Sequence, residues 1–222
     1  MEKHRTIIFS DFDGTFTKKD IGYRLFRHFS QGRNIPLVEQ WKKGLISSRD
    51  CLLEEAAMIS ATLEEIHLFL ETFNLSPGAA DFYKTIKRHN IPFYIVSDGL
   101  DIYLEHVLRK HGLDEIEFFC NRGTVKDRQL KLNFPYDNDG CMRCGCCKGA
   151  RINDFVKSDR SAWEVIFIGD GLSDICAVPH ADILFARGDF LDYCRAKNVM
   201  AIEYENFFDI FRYLEGSGHI SG

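Results

Sequence analysis

Apolar residues in this chain come in short runs separated by amphipathic stretches. Thr6-Ile7-Ile8-Phe9 is apolar almost throughout, as a strand covered on both faces should be. Ile91 to Val96 and Val165 to Ile168 have the same character, and Ile183-Leu184-Phe185 is a shorter version. Another short strand is expected at Glu117 to Cys120. Helical spacing marks Asp101 to Lys110, which His111-Gly112 closes, and then Ser173 to Val178, Phe190 to Lys197 and Phe207 to Leu214. Residues 121 to 147 read mostly as hairpin or loop, and 216-GSGHISG-222 as a flexible tail. Such alternation predicts an α/β fold whose parallel sheet is flanked by helices.

Residues 20 to 89 break the alternation and read as helix after helix. Asp20 can cap a helix holding Tyr23, Phe26 and Phe29. Pro36 can open a second through Trp41. Ser47, with Asp50 three positions on, suits the start of a third, and Thr62 with Glu65 forms a capping box for a fourth. Pro77 opens a fifth, through Phe82 and Ile86, that returns to the sheet. A helical insert therefore follows the first strand.

Composition narrows the function classes. The 222 residues carry 28 Lys and Arg against 33 Asp and Glu, a formal charge of −5, which disfavours nonspecific nucleic-acid binding. Nineteen Phe, eight Tyr and two Trp are enough aromatic surface for a packed core. No run nears the roughly 20 apolar residues of a membrane span. The opening 1-MEKHR-5 leads into a strand and not into a signal peptide, so a cytoplasmic protein is expected.

The chemistry gathers where strands end. Three apolar strands run into polar turns, 11-DFDGT-15, 97-SDG-99 and 169-GDGLSD-174. One Asp-Gly pair can be no more than a turn. Three of them, each directly after a buried strand, mark the carboxyl edge of the sheet, where open α/β folds bind ligands. Asp11 and Asp13 sit two apart and would share a face of an extended segment. Clustered carboxylates call for a cation, and Mg²⁺ suits both oxygen donors and a phosphate substrate.

This pattern resembles the haloacid dehalogenase superfamily of aspartate-nucleophile phosphatases, in its phosphoserine-phosphatase-like branch. The resemblance rests on 11-DFDGT-15, Ser97, a lysine and 169-GDGLSD-174. Size, the helical insert, a Cys-rich stretch before Lys148 and 185-FARGDFLDYCRAKNV-199 bring it nearest to the methionine-salvage phosphatases of 2-hydroxy-3-keto-5-methylthiopentenyl-1-phosphate. The resemblance implies a Rossmann-like core at 1–16 and 77–222 with a helical cap at 17–76. It also implies Mg²⁺-dependent hydrolysis of a small phosphorylated metabolite. By position, Asp11 is the nucleophile and Asp13 the general acid and base. Phe12, Ser97, Gly99 and Lys148, with Gly149 in addition, hold phosphate. Asp11, Asp13, Asp170 and Asp174 surround the metal. Among Lys126, Lys131, Lys148 and Lys157, the choice falls on Lys148, because it precedes the helix-like 151-RINDFV-156. Phosphoserine or an amino-alcohol phosphate is the alternative substrate. Phosphotransfer and noncatalytic phosphate binding are the alternative activities. Arg24, Arg27, Trp41, Lys43 and Arg49 are candidate cap contacts.

Four of the eight cysteines fall within 141-CMRCGCC-147. Three readings stay open: a structural zinc site drawn from Cys120, Cys141, Cys144, Cys146 and Cys147, a redox pair, or reduced thiols. Cys51, Cys176 and Cys194 are expected to be small core residues.

Overall fold

Two apolar layers sandwich one sheet, and the sequence of the first strand explains why. The computed structural model describes residues 5–136, 141 and 143–220. In β1 (Arg5–Ser10), Ile8 packs into one core while Ile7 and Phe9 pack into the other. That is the period-two alternation of a strand covered on both sides. β1 pairs in parallel with β2 (Phe93–Leu100) and with β5 (Trp163–Gly169), and so lies at the centre. β3 (Phe118–Lys126) and β4 (Gln129–Asn133) extend the sheet on one side, and β6 (Ile183–Ala186) and β7 (Ile202–Glu203) on the other. The order is β4-β3-β2-β1-β5-β6-β7, with only β4 antiparallel to its neighbour.

Helices cover both faces. α5 (Ala79–Arg88), α6 (Asp101–Lys110) and α9 (Phe207–Gly216) bring Phe82, Leu104 and Phe207 to the first core. α7 (Lys148–Val156) and α8 (Gly188–Ala196) bring Ile152 and Phe190 to the second. Between the turn at Phe12–Phe16 and α5 lie the inserted helices α1 (Ile21–Phe29), α2 (Ile35–Lys42), α3 (Ser48–Ala57) and α4 (Leu63–Leu70). Their starts follow local chemistry. Asp20 accepts from the Tyr23 amide, Ser47 from the Asp50 amide, and Thr62 with Glu65 closes a capping box. The chain leaves and re-enters the core at one neck. There Thr17 pairs with Leu75, the Lys18 amide donates to the Asn74 carbonyl at 3.1 Å, and Ser76 Oγ donates to the Thr15 carbonyl at 2.6 Å. No helix among the described residues is long and apolar enough to cross a membrane.

Three departures from the sequence pattern have physical causes. β3 runs past Cys120 into the stretch read as hairpin or loop, where it turns into β4 through Asp127 and Arg128, both at positive φ (49° and 62°). Two such residues make the tight hairpin turn that Asn-Gly usually signals, and the side chain of Arg128 is occupied with Glu65 and the Ser60 carbonyl. The segment after β5 is helical as expected, but it is a 3₁₀ helix that runs on over Leu172–His180 with Pro179 inside it. The supposed tail is docked as far as residue 220. His219 Nε2 lies 2.6 Å from Glu164 Oε2, and Ile220 is buried against the first core. The rest of that tail, 221–222, lies outside the described residues.

One buried carboxyl sits inside the insert. Glu55 on α3 is only 5% exposed and accepts from Asn34 Nδ2 at 2.8 Å. Burial, only partly offset by the Asn34 hydrogen bond, pushes its pKa up to about 7.

Two stability predictions result. Ile220→Ala should lower unfolding free energy by about 2 kcal/mol, read as a reduced urea midpoint. An unchanged midpoint would return residue 220 to the tail. Glu55 holds its proton more tightly folded than unfolded, so its contribution favours folding at low pH. That contribution fades as pH rises from the unfolded carboxyl range toward about 7. Glu55→Gln should therefore be more stable than wild type above pH 7, by roughly 2 kcal/mol. The difference should vanish near pH 4.5, as thermal melts across that range would show.

Candidate active site

The strand ends converge as the polar turns suggested. Asp11 directly follows β1, and its amide donates to the Ile168 carbonyl at 2.9 Å, tying it to the end of β5. Lys148 is the first residue of α7 and is buried, with 1% exposure. Its Nζ lies 3.0 Å from Asp11 Oδ1, 2.5 Å from Asp174 Oδ1 and 2.7 Å from Ser173 Oγ. Burial alone would favour the neutral amine, but the two carboxylates outweigh it and hold the Lys148 pKa well above the usual lysine value. The Asp11 carboxyl is shifted upward by burial and by Asp174, Asp170 and Asp13, with Lys148 pulling the other way.

Asp170 and Asp174 complete an acidic group. One carboxylate oxygen each from Asp11, Asp170 and Asp174 come within 4.8 Å of one another. Asp174 Oδ2 accepts from the amides of Asp170 and Gly171 at 2.8 and 2.9 Å, so the 170–174 turn is self-bracing. Thr15 Oγ1 donates to Asp170 Oδ1 at 2.9 Å. Burial and Asp174 push the Asp170 pKa up to about 7. Three carboxylates face one lysine here, an arrangement that leaves excess negative charge at the floor of the site. An oxygen-ligated divalent cation fits that donor set. Gly14, at φ +75°, is required beside it, because a Cβ there would sit 2.4 Å from Asp170 Oδ2.

Asp13 stands apart from the acidic group. Its carboxylate accepts from the Ile21 and Gly22 amides at the start of α1, at 2.8 and 3.1 Å, and from Tyr103 Oη at 2.7 Å. Burial, reinforced by nearby Asp20 and opposed by these hydrogen bonds, raises its pKa to about 7. Ser97 is buried, and its Oγ accepts from the Gly99 amide at 3.0 Å, which leaves the hydroxyl proton to donate elsewhere. The side chain of Phe12 turns away into the core against Phe16 and Tyr103, so only its backbone can serve the site. Gly149 lies where α7 meets the 172–180 segment, and a Cβ there would stand 2.1 Å from the Cys176 carbonyl oxygen.

A cavity of about 490 Å³ lies above these groups. Asp11, Asp13, Ser97, Gly99 and Asp170 form its floor, and Tyr23, Phe26, Val38, Trp41 and Leu52 of the insert form its roof. Of the candidate insert contacts, Trp41 lines the cavity. Arg24, Arg27, Lys43 and Arg49 do not; Arg27 lies over Tyr23, and Arg49 over Phe134. Lys42 and Asp189 pair at 3.2 Å, joining the insert to α8.

Several contributors escaped the sequence reading. Asp98 is a junction: Ser48 Oγ of α3 donates to its Oδ2, while Asn121 Nδ2 and the Gly145 and Cys146 amides donate to its Oδ1 at 3.1, 2.9 and 2.8 Å. Arg187 donates to the Gly14 carbonyl. Asp98 was visible in 97-SDG-99, but its partners come from three distant segments. Among the cysteines, Cys141, Cys144 and Cys147 are brought together, and Cys176 joins them instead of the core. Cys120 and Cys146 do not join; they pack into the first and second cores respectively. All eight are free thiols.

The family model described as haloacid dehalogenase-like hydrolase matches residues 8–178. A Lysinibacillus sphaericus protein named 2-hydroxy-3-keto-5-methylthiopentenyl-1-phosphate phosphatase is 30% identical over 219 residues, covering 95% of this chain and 94% of the relative. A Bacillus pumilus protein of the same name is 29% identical over 211 residues, covering 93% and 89%. Among solved structures, a phospho-aspartyl intermediate analogue of phosphoserine phosphatase superposes with a TM-score of 0.74. It is 20% identical and covers 95% of this chain and 99% of its own, a likeness of fold. With the family model spanning most of the sheet and every strand-end aspartate of the site, the chain belongs to the haloacid dehalogenase-like hydrolases.

Proposed function

We propose that the protein is a Mg²⁺-dependent phosphomonoesterase that works through an aspartyl-phosphate on Asp11, with 2-hydroxy-3-keto-5-methylthiopentenyl-1-phosphate as substrate. The observation that carries the chemistry is the buried Lys148 held between Asp11 and Asp174 under a cavity. An ionised carboxylate and a phosphate repel each other, and a fixed cation between them lowers that barrier.

Each group has a role set by its surroundings. Asp11 Oδ1 is paired with Lys148, so its other oxygen attacks phosphorus and the ester bond to the substrate oxygen breaks. The leaving oxygen takes its proton from Asp13, whose pKa near 7 suits an acid that must later act as a base. Water then attacks the aspartyl-phosphate, Asp13 accepts its proton, and the Asp11 carboxylate is regenerated with release of phosphate. Ser97 and the backbone at Phe12 and Gly99 orient the phosphoryl oxygens. Asp11, Asp170, Asp174 and the Asp13 carbonyl would hold Mg²⁺, which supplies further charge neutralisation when bound.

The substrate assignment rests on the two named relatives and on the roof of the cavity. Phe26, Val38, Leu52 and Trp41 offer apolar surface to a methylthio tail, and a phosphorylated amino acid has no such tail. Residues 17–76 act as the cap over this tail, hinged at the Thr17–Leu75 neck.

Asp11→Asn should lower kcat by at least about 10³-fold with the fold retained, measured by phosphate release and circular dichroism. Turnover surviving in that variant would overturn the mechanism. Chelation of divalent ions should abolish phosphate release, and added Mg²⁺ should restore it. In a panel of phosphomonoesters, kcat/KM should be highest for the methylthiopentenyl phosphate. A higher value for phosphoserine would reverse the substrate assignment and leave the mechanism standing.

A further inference from the structure

The cysteine group is a second cluster of donors, separate from the carboxylates and different in chemistry. Cys144 Sγ lies 3.8 Å from Cys176 Sγ, and Cys141 Sγ lies 4.0 Å from the same atom. The Sγ atoms of Cys141, Cys144, Cys147 and Cys176 all lie within 4.8 Å of one another. A disulfide would require about 2.05 Å, and none of the four is in one. Four sulfurs around one ion at about 2.3 Å would stand about 3.8 Å apart in a tetrahedron. We propose that Cys141, Cys144, Cys147 and Cys176 hold a structural Zn²⁺ through four thiolates.

The local backbone suits that role. Two overlapping Cys-x-x-Cys spacings, 141 to 144 and 144 to 147, wrap the loop around one point. Asp98 pins the loop by accepting from the Gly145 and Cys146 amides, and the Arg143 carbonyl accepts from the Ser48 amide at 2.7 Å. Cys147 occupies the N-cap of α7, where the positive end of the helix favours a thiolate. The fourth ligand comes from the 172–180 segment. Sulfur donors without a carboxylate or imidazole among them select a soft or borderline ion, whereas Mg²⁺ belongs with the oxygens of the other cluster.

The position gives the metal a purpose. Cys147 immediately precedes Lys148, and Cys176 lies two residues after Asp174. An ion shared by the two cysteines fixes the two segments whose side chains form the buried Lys148–Asp174 pair. It is a positioning element and touches neither substrate nor phosphate.

The test reads metal content and does not depend on turnover. Full-length protein purified without chelator, in buffer with excess Mg²⁺, should contain about one zinc per chain by mass spectrometry. Cys176→Ser and Cys141→Ser should each fall below about 0.2 zinc per chain, and Cys194→Ala, in the second core, should keep its zinc. Metal-free protein reconstituted with Co²⁺ should show the visible and sulfur-to-cobalt absorption of a tetrahedral thiolate site. This reading holds even if the serine variants fold poorly. Zinc near zero with all eight thiols titrating in the native protein would overturn the proposal. So would iron in place of zinc, zinc retained by a folded Cys176→Ser, or Co²⁺ binding without sulfur-to-cobalt absorption.

Discussion

A lysine ammonium with almost no access to water is stable only if carboxylates surround it, and Lys148 meets that condition through Asp11 and Asp174. The constraint runs both ways. Asp11 is buried as well, and without the ammonium its charge would be unsupported. Three segments must therefore arrive together: the end of β1, the start of α7 and the turn after β5. The central place of β1, paired with both β2 and β5, is what lets one point on the sheet edge receive all of them. Removing the lysine would leave buried carboxylates uncompensated, which costs far more than the pairing contributes, whereas loss of Asp11 alone leaves Lys148 paired with Asp174.

The insert is attached to this edge by polar contacts and by apolar packing shared with the first core. Asp13 accepts from the first amides of α1, so the residue proposed as acid and base is also an N-terminal anchor for the insert. Ser48 reaches Asp98, and Asp98 in turn holds the cysteine loop and Asn121. Cavity roof, the 97–99 turn and the cysteine loop thus share one carboxylate. The Lys42–Asp189 pair adds little to this, because both side chains are about half exposed and such pairs contribute ~0–1 kcal/mol.

Much of this was legible in the chain because local chemistry decided it. Asp11, Ser97 and Asp170 each sit next to a buried apolar run, and Thr62 with Glu65 needs only its own helix start. Lys148 needed more, since four lysines competed until the helix behind it was weighed. What stayed hidden depends on long-range proximity. Cys176 looked like a core residue because its periodicity is helical, and only the fold brings it to Cys141 and Cys144. Glu55 and Asn34 meet between two helices. The β3–β4 turn uses Asp127-Arg128, and the second of these, an arginine, does not advertise positive φ. The two-residue β7 is too short to leave a pattern.

The contact at Gly149 carries one more consequence. Its missing side chain lets α7 approach the Cys176 main chain directly, with the His180 ring beside the contact. Side chains can change rotamer, but two abutting main chains cannot slide without breaking the packing of both. The spacing from Lys148 to Asp174 is therefore braced by a main-chain contact, which resists displacement of one charge relative to the other. In mechanical terms the charged pair is mounted on two abutting main-chain segments, so a shift of either must displace the other.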